Sequence, residues 1–499
     1  MWVVALLAIL TRVALLPVFP APVPMVHDEF SYLLAGDTFA HGRLTNQPHP
    51  MSLFFDTFHV LQYPTYQSMY PPAQGAALAL GMLLGSPWIG VLLSVAAMCA
   101  AITWMLQGWV PAQWALLGGV IAILRLELCS YWTDSYWGGA IAAMGAALVM
   151  GALPRIRHHR RVGDAVNLGI GVALLANSRQ FEGAIFCLPV AVALMAWLAS
   201  LRGPELRLAL RRVVVPLACV LGLSAAFMGY YNWRITGNAT TSPHRLDFRT
   251  YTAVPPFLWQ KVQLGRHYSN PQFQSFYDTG VRNHLRPIWS LKASVWNVWS
   301  RWWWFFLGYA LSLPFLTLPW LARDRRMRLP LALFAICAAG LMIVNWFEPH
   351  YAAPMVAALF VILIQAMRHL RRWVVQRRPV GIFLTRMVIM MAVVRISTAT
   401  WEQARHPATK WGEQRVAIVA DLDRLPGNHL VIVRYAPEHN PGHEWVYNAA
   451  DIDQAKIVWA REIPGMDLKP LMDYYHDRKV WVVDADEVPA EAEPFRGER

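Results

Sequence analysis

The sequence predicts an all-α polytopic membrane protein, of about eleven transmembrane helices, with a small α/β domain at its C-terminal end. Three observations predict this. Hydrophobic residues fill 56% of the 499 positions and charged residues only 15%, so bilayer-length apolar runs come before any soluble core. The charge is unevenly divided: residues 1–400 carry 32 basic and 13 acidic side chains, and residues 401–499 carry 12 and 18. Runs rich in β-branched and aromatic residues, "HLVIVRY" (429–435), "AKIVWAR" (455–461) and "KVWVVDAD" (479–486), occur in the tail, where they alternate with polar helical stretches.

Apolar runs fall at about 2–18, 87–106, 111–127, 136–153, 163–178, 183–200, 213–231, 303–321, 329–345, 351–367 and 380–397, near the length of roughly 17–25 residues that a spanning helix needs. The connections "PRIRHHRR", "LRGPELRLALRR", "ARDRRMR" and "RHLRRWVVQRR" together hold 17 Arg against Glu205 and Asp324. Basic short loops stay in the cytoplasm. Alternation then puts the N-terminus inside, and the loops 19–86 and 232–302 and the C-terminal tail outside, in the periplasm of a bacterial inner membrane. All four basic loops agree with this one orientation. The Trp cluster "WNVWSRWWWFF" (296–306) marks an interfacial belt. The first run also has the length of a cleaved signal peptide, although it lacks a basic start and carries Arg12 in its apolar segment. As a retained helix it would turn Arg12 into the bundle, because a lipid-facing guanidinium is costly.

The domains are therefore residues 1–397 and a soluble tail, 398–499. Arg makes up 38 of the 44 basic residues, and most sit in short loops rather than in a binding stripe, so nucleic acid is not expected as a partner. Five Cys in apolar runs, without C-x-x-C spacing, imply neither zinc nor disulfides. The triplets "DLD" (421–423), "DID" (451–453) and "DAD" (484–486) read as solvated strand-end acids, since the tail is too short for a full nucleotide-sugar domain.

The thirteen acids of the first part are few enough to place singly, and most lie at the outer face. Asp28 and Glu29 adjoin each other in "HDEFSYLLAG" (27–36). There Phe30, Leu33 and Leu34 share one helical face, while Asp28, Ser31 and Tyr32 share another. Two readings stay open: a helix in the membrane interface with its polar face toward a cavity, or two acids capping a helix N-terminus. Other fragments gather at the same depth. "QYPTYQSMYPPAQG" brings Tyr63, Tyr66 and Tyr70; "YWTDSYWGG" holds Asp134; "NSRQFEG" holds Arg179 and Glu182; "NWFEPHYAAP" holds Glu348, His350 and Tyr351. Aromatic platforms, a few acids and one or two cations suit a sugar joined to a lipid phosphate.

These residues resemble a family. Arg12, then "HDEFSYLLAGDTFAHGRL", "YPPAQG", "SRQFEG", "YNWRITGN" and "EPHYAAP" are similar to landmarks of GT-C superfamily glycosyltransferases, in particular bacterial relatives of protein O-mannosyltransferases and of the aminoarabinose transferase. The likeness spans about residues 5–360. It implies transfer of a sugar from a polyprenyl-phosphate donor to a glycan, lipid or protein acceptor. Asp28 would be the general base, Glu29 its orienting partner and Asp134 the second acid. Arg179 and, after it, His350 would hold the donor phosphate. Tyr63, Tyr66, Tyr70, Glu182, Glu348 and Tyr351 would line the substrate site. No cofactor is required by this reading, though a divalent cation is compatible with it. Relatives often carry Arg-Tyr where this chain has His350-Tyr351, which puts the second phosphate ligand in doubt. A second carboxylate beside the first would raise the pKa of one of them and improve it as a base.

Two other classes compete. A transporter or flippase for a lipid-linked glycan would place charge or broken helices near mid-membrane, whereas here the mid-span charge is essentially Arg12. An enzyme like an O-antigen ligase would depend on outer-loop Arg and His, of which Arg245, Arg249, Arg266 and His267 are examples.

Overall fold

The computed structural model of the chain describes residues 1–268, 270–285, 291–405 and 411–496. Helices follow in the order α1 (Trp2–Ala14), α2 (His27–Ala40), α3 (Pro72–Leu83), α4 (Pro87–Leu106), α5 (Ala112–Ala122), α6 (Ala140–His159), α7 (Val162–Ala176), α8 (Gln180–Ser200) and α9 (Gly203–Thr236). After the long loop begins come α10 (Pro243–Thr250), α11 (Pro271–Leu285), α12 (Leu291–Phe306), α13 (Gly308–Arg323), α14 (Arg328–Leu341), α15 (Val356–Leu370), α16 (Val380–Arg405) and α17 (Trp411–Arg424).

Among the described residues six helices are long and apolar enough to cross a bilayer: α4, α6, α8, α9, α15 with the turn at 349–355 that leads into it, and α16. A seventh crossing results if the bent pair of α12 and α13 is one span. The other four predicted segments are also apolar helices, but α1, α5, α7 and α14 have only 13, 11, 15 and 14 residues, short of a full crossing at 1.5 Å per residue. The count of eleven therefore exceeds what helix length supports. α15 is buried along most of its length and forms the centre of the bundle. α8, α9 and α16 leave most of their apolar surface uncovered by protein, as helices facing lipid do.

The bend between α12 and α13 reaches 95° and has a local cause. Gly308 adopts φ +59, a conformation open to glycine at little cost. The freed Trp304 carbonyl accepts a hydrogen bond from the Arg125 guanidinium, which is buried in a π-helical turn at Ile123–Glu127. A charged donor thus satisfies a helix end that water cannot reach.

The loop between α1 and α4 is a folded body rather than a tether. It contains α2, the short antiparallel pair β1 (Val60–Leu61) and β2 (Gln67–Ser68), and α3. A Cβ on Gly90 would come within 1.9 Å of the Ala77 carbonyl oxygen, so α3 lies hard against α4. The C-terminal sheet has strand order β4-β3-β5-β6, built from β3 (His429–Arg434), β4 (Ile457–Arg461), β5 (Lys479–Asp484) and β6 (Ala492–Pro494). β3 pairs parallel with β4 and β5, and β6 runs antiparallel to β5.

This sheet is seated on the first loop. Ala450 donates its backbone N–H to Asp37 at 2.7 Å, Tyr66 donates to the Asn448 carbonyl at 3.3 Å, and Trp411 donates to the Met25 carbonyl at 3.0 Å. His49 accepts from Met51 N at Nδ1, which leaves Nε2 to donate to Asp453 at 3.0 Å. Leu34 of α2 is buried with Leu430, Ile432 and Val458 of the sheet, and Phe30 stacks on Tyr447 at 4.7 Å. The apolar face of α2 therefore meets protein, which corrects the expectation of a helix lying in the membrane interface. Of the acidic triplets, 484–486 stands at a strand end, with exposed Asp484 closing β5 and Asp486 bound to His439 at 2.7 Å, whereas 421–423 lies on α17 and Asp453 serves the docking contact.

One buried ion pair anchors the seat. Arg461 bonds Glu444 at 2.7 Å, with side-chain exposures of 0% and 1%, and reaches Gln272 of α11 at 2.9 Å and the Asp56 carbonyl at 3.3 Å. Removing one partner strands the other charge, at a cost of about 3–5 kcal/mol. Arg461→Ala should lower the unfolding free energy of the C-terminal sheet by that order, read by denaturant titration of tryptophan fluorescence, and should expose the 55–62 loop to protease.

Candidate functional site

The site starts from the way α2 begins. Val26 is extended (φ −135, ψ 150) and precedes the first helical residue. Glu29, in the third helical position, turns back so that Oε2 accepts from Met25 N at 2.7 Å and Val26 N at 3.2 Å. Its Oε1 accepts from Tyr136 N at 2.9 Å, joining the helix start to the loop before α6. Both carboxylate oxygens are therefore spent on backbone donors, and burial pushes the group up to about 7. The capping reading describes Glu29.

Asp28 precedes it in the first turn, at the positive end of the helix. Oδ1 accepts a hydrogen bond from the Tyr70 hydroxyl, and Oδ2 lies 3.1 Å from His27 Nδ1. His59 packs edge-on to His27 with ring centroids 4.6 Å apart. Burial alone would raise the Asp28 carboxyl, but the imidazoles of His59 and His27 and the Tyr70 hydroxyl outweigh it and hold the group below the ordinary carboxylate range. Adjacent acids do split apart, as the sequence suggests, yet the raised one is Glu29 and the ionised one is Asp28. His59 itself is lowered to about 3, chiefly by burial, and is neutral at physiological pH. It holds φ +62, uncommon for a residue with a side chain. Its carbonyl is fixed there by Ser31 Oγ at 2.6 Å and Met69 N at 3.0 Å.

From Asp28 an aromatic path leads to a cation. Tyr70 stacks on Tyr32 at 4.2 Å, and Tyr32 lines one cleft with Pro71, Gln74, Ile141 and Arg179. Arg179 occupies the joint between α7 and α8, its guanidinium 4.4 Å from the Tyr351 ring centroid. No ion pair closes on it among the described residues, so its donors remain available for a ligand.

The other predicted residues are placed as follows. Glu182 and Tyr351 line a small cleft under Arg179. His350 is buried, and the Tyr131 hydroxyl accepts from its backbone N–H and faces Nδ1, both at 3.0 Å. Tyr131 then donates to Nδ1, and the ring proton sits on Nε2. Asp134 forms an ion pair with Arg12 at 2.8 Å; Arg12 is 1% exposed and sits over Trp88, inside the bundle as its charge requires. Glu348 is held by Arg301 at 2.6 Å. Tyr63 is 60% exposed, and Tyr66 serves the docking seat. Of the three loop tyrosines, Tyr70 alone meets Asp28.

Sequence reasoning missed His27, His59 and His244. Part of the signal was available: four His, His27, His41, His49 and His59, share the loop of the acid pair, and His27 adjoins Asp28. His27, Asp28 and His59 offer ligand atoms within 4.8 Å of one another, and His59 Nδ1 is buried without a hydrogen-bond partner. That donor set fits a Zn²⁺-type ion better than Mg²⁺, which prefers oxygen.

Comparison with solved structures shows a shared fold. The chain is similar to ArnT from Cupriavidus metallidurans bound to undecaprenyl phosphate, with a TM-score of 0.56 and 13% identity over 97% of this chain and 93% of that one. It is also similar to the Archaeoglobus fulgidus oligosaccharyltransferase in complex with Zn and sulfate, with a TM-score of 0.51 and 12% identity over 96% of this chain and 67% of that one. No family model and no curated protein sequence matches the chain.

Beside the site, Asp56 and Asp247 are buried with Oδ1 of Asp56 and both oxygens of Asp247 unpartnered. Burial raises them to about 7 and about 8; Glu444 adds to the rise at Asp56 while Arg461 opposes it, and Asp56 adds to the rise at Asp247. Below about 4 the folded and unfolded chains are both protonated here. Between about 4 and about 8 the unfolded chain has released protons that the folded chain keeps, so stability falls as pH rises. Asp247→Asn should flatten that fall, read as a smaller drop in thermal midpoint between pH 5.5 and pH 8.5.

Proposed function

We propose that the protein is a glycosyltransferase that moves a sugar from a polyprenyl-phosphate donor to an acceptor hydroxyl or amine at the outer, periplasmic face of a bacterial inner membrane. The observation that carries this reading is the aromatic-lined path from ionised Asp28 to the unpaired Arg179. Arg179 binds the lipid phosphate through its forked donors and stabilises the negative charge that grows on it as the glycosidic bond breaks. The Nε2–H of His350 is a neutral second donor to the same group. Asp28 accepts a hydrogen bond from the acceptor and takes its proton as the new bond forms to the anomeric carbon. Because Asp28 is a weak base, this proton moves late, after the nucleophile has begun to bond. Tyr70 and His27 fix the carboxylate's orientation, and the alignment of acceptor and donor supplies the remaining acceleration. The resemblance seen in the sequence and the likeness in fold to ArnT bound to undecaprenyl phosphate both support the donor class.

A second reading rests on the His27–Asp28–His59 cluster. These residues would hold a divalent cation of the zinc type, which when bound would act as a Lewis acid toward phosphate oxygen. On this reading chelation abolishes transfer and Zn²⁺ restores it; full activity after chelation leaves Asp28 acting as a carboxylate alone.

The deciding experiment incubates purified protein with polyprenyl-phosphate sugars and follows donor consumption. Asp28→Asn should lower turnover by about 10²–10⁴-fold with the fold retained. Near-normal activity of that variant would remove Asp28 from the mechanism. Arg179→Ala should raise the KM for donor while leaving the KM for acceptor nearly unchanged.

A further inference from the structure

The end of the bundle opposite to Asp28 carries charge that the site does not use. α15 and the turn that leads into it, which bears His350 and Tyr351, form one apolar run of 22 residues, so the far end of α15 lies roughly 30 Å from those residues. There the segment 322–328, between α13 and α14, and the segment 368–378, between α15 and α16, hold nine Arg and one acid, Asp324. That acid is already committed. Its Oδ1 accepts from Arg326 N at 2.9 Å and its Oδ2 from Gln365 Nε2 at 3.3 Å, and among the described residues no guanidinium closes an ion pair with it. Gln365 Oε1 in turn accepts from Arg368 Nη1 at 2.7 Å. Asp324 therefore positions Arg368 through a neutral amide instead of neutralising it. Arg326 and Arg372, both exposed, lie within electrostatic reach of Arg368. Like charges gathered in this way repel, and an anion brought among them relieves the repulsion.

The chain between α15 and α16 is a built turn. A Cβ on Gly381 would come within 2.0 Å of the Leu370 carbonyl oxygen, and Gly381 N donates to the Trp373 carbonyl at 2.9 Å, so α16 starts hard against the end of α15. Val375 and Arg378 exchange backbone hydrogen bonds at 3.0 and 2.9 Å. Gln376 and Arg377 between them adopt φ +49 and +63, which two successive residues with side chains rarely do. The turn leaves Val374 and Val375 64% and 52% exposed, with Arg372 before them and Arg377 and Arg378 after. Trp373 meets Trp320 of α13 edge to face, with ring centroids 5.6 Å apart. Tryptophans at the ends of two apolar helices mark the level of a headgroup layer.

An apolar tip flanked by guanidinium groups is matched by one kind of surface. The valines gain by leaving water for the acyl boundary, while the forked Arg donors fit the paired oxygens of a phosphate. A soluble anion would engage the cations and leave the valines in water. The tip and the cations together select a lipid.

We propose that Arg326, Arg368 and Arg372, with the Val374–Val375 turn, bind the headgroup of an anionic phospholipid in the leaflet opposite to the Asp28 site. The test titrates the purified full chain, in a neutral detergent, with phosphatidylglycerol and with phosphatidylcholine, and counts bound lipid by native mass spectrometry. Phosphatidylglycerol should bind about tenfold or more tightly than phosphatidylcholine, and millimolar inorganic phosphate should not displace it. Arg368→Gln combined with Arg372→Gln should lower phosphatidylglycerol affinity about 10–30-fold, roughly fivefold for each arginine. Val374→Ser combined with Val375→Ser removes no charge, so helix orientation is untouched, and should lower the same affinity about fivefold or more. Arg211→Gln combined with Arg212→Gln, an equal loss of charge at another basic segment, should leave it unchanged. Equal affinity for the two lipids, displacement by phosphate, an equal loss in the Arg211 and Arg212 variant, or indifference to the serine pair overturns the site.

Discussion

The carboxylate of Glu29 is the constraint on which the rest of the site depends. It gathers three backbone N–H groups, from Met25, Val26 and Tyr136, and so fixes three things at once: where α2 starts, how the chain enters it, and where the loop before α6 lies. Asp28 has no independent choice of direction once that is settled. A neutral amide in place of Glu29 would offer one acceptor oxygen where the fold uses two. Adjacent acids thus divide the work: one is a structural acceptor among backbone donors, the other is held by side chains, Tyr70 and His27.

That division also explains why charge is affordable so near a membrane. Each ionisable group at the outer end of the bundle has an identified counterpart or an identified vacancy. Arg12 is answered by Asp134, Arg301 by Glu348, and Arg461 by Glu444, whereas Arg179 faces aromatic rings and open cleft. Among the described residues Arg179 makes no ion-pair contact, and the Glu182 carboxyl lies within its electrostatic reach.

Much of the architecture was legible in the sequence because apolar runs, Arg-rich loops and β-branched tail segments report local, periodic properties. All eleven apolar segments are helical, and the three tail runs supply β3, β4 and β5. What could not be read was length against bending: the 3.6-residue period does not reveal that α12 and α13 meet at 95°, because that depends on Arg125 reaching Trp304 from 179 residues away. The site was legible in part. Asp28 contacts Tyr70, which stacks on Tyr32, and Arg179 contacts Tyr351, while Tyr63 and Tyr66, equally tyrosine and equally close in sequence, lie elsewhere. A two-residue strand, β2, turns Tyr66 toward the tail and leaves Tyr70 facing α2, a distinction set by pairing register. His27, His59 and His244 escaped notice because a lone histidine carries no periodic signal, and only the fold brings the three near one another.

The seating of the C-terminal sheet on the first loop has a temporal consequence. The ribosome makes residues 25–66 early, yet their partners at Asn448, Ala450, Asp453 and Arg461 come almost four hundred residues later. Until the last strands emerge, α2 keeps Leu34 and Phe30 without cover, and the loop bearing Asp28 lacks its outer wall. Domains generally fold as units in the order of synthesis, but the loop that carries α2 cannot be finished in that order. A chain stalled before β5 would hold its apolar helices and still leave this loop without its cover, so the tail acts as a completion check on the chain's own assembly.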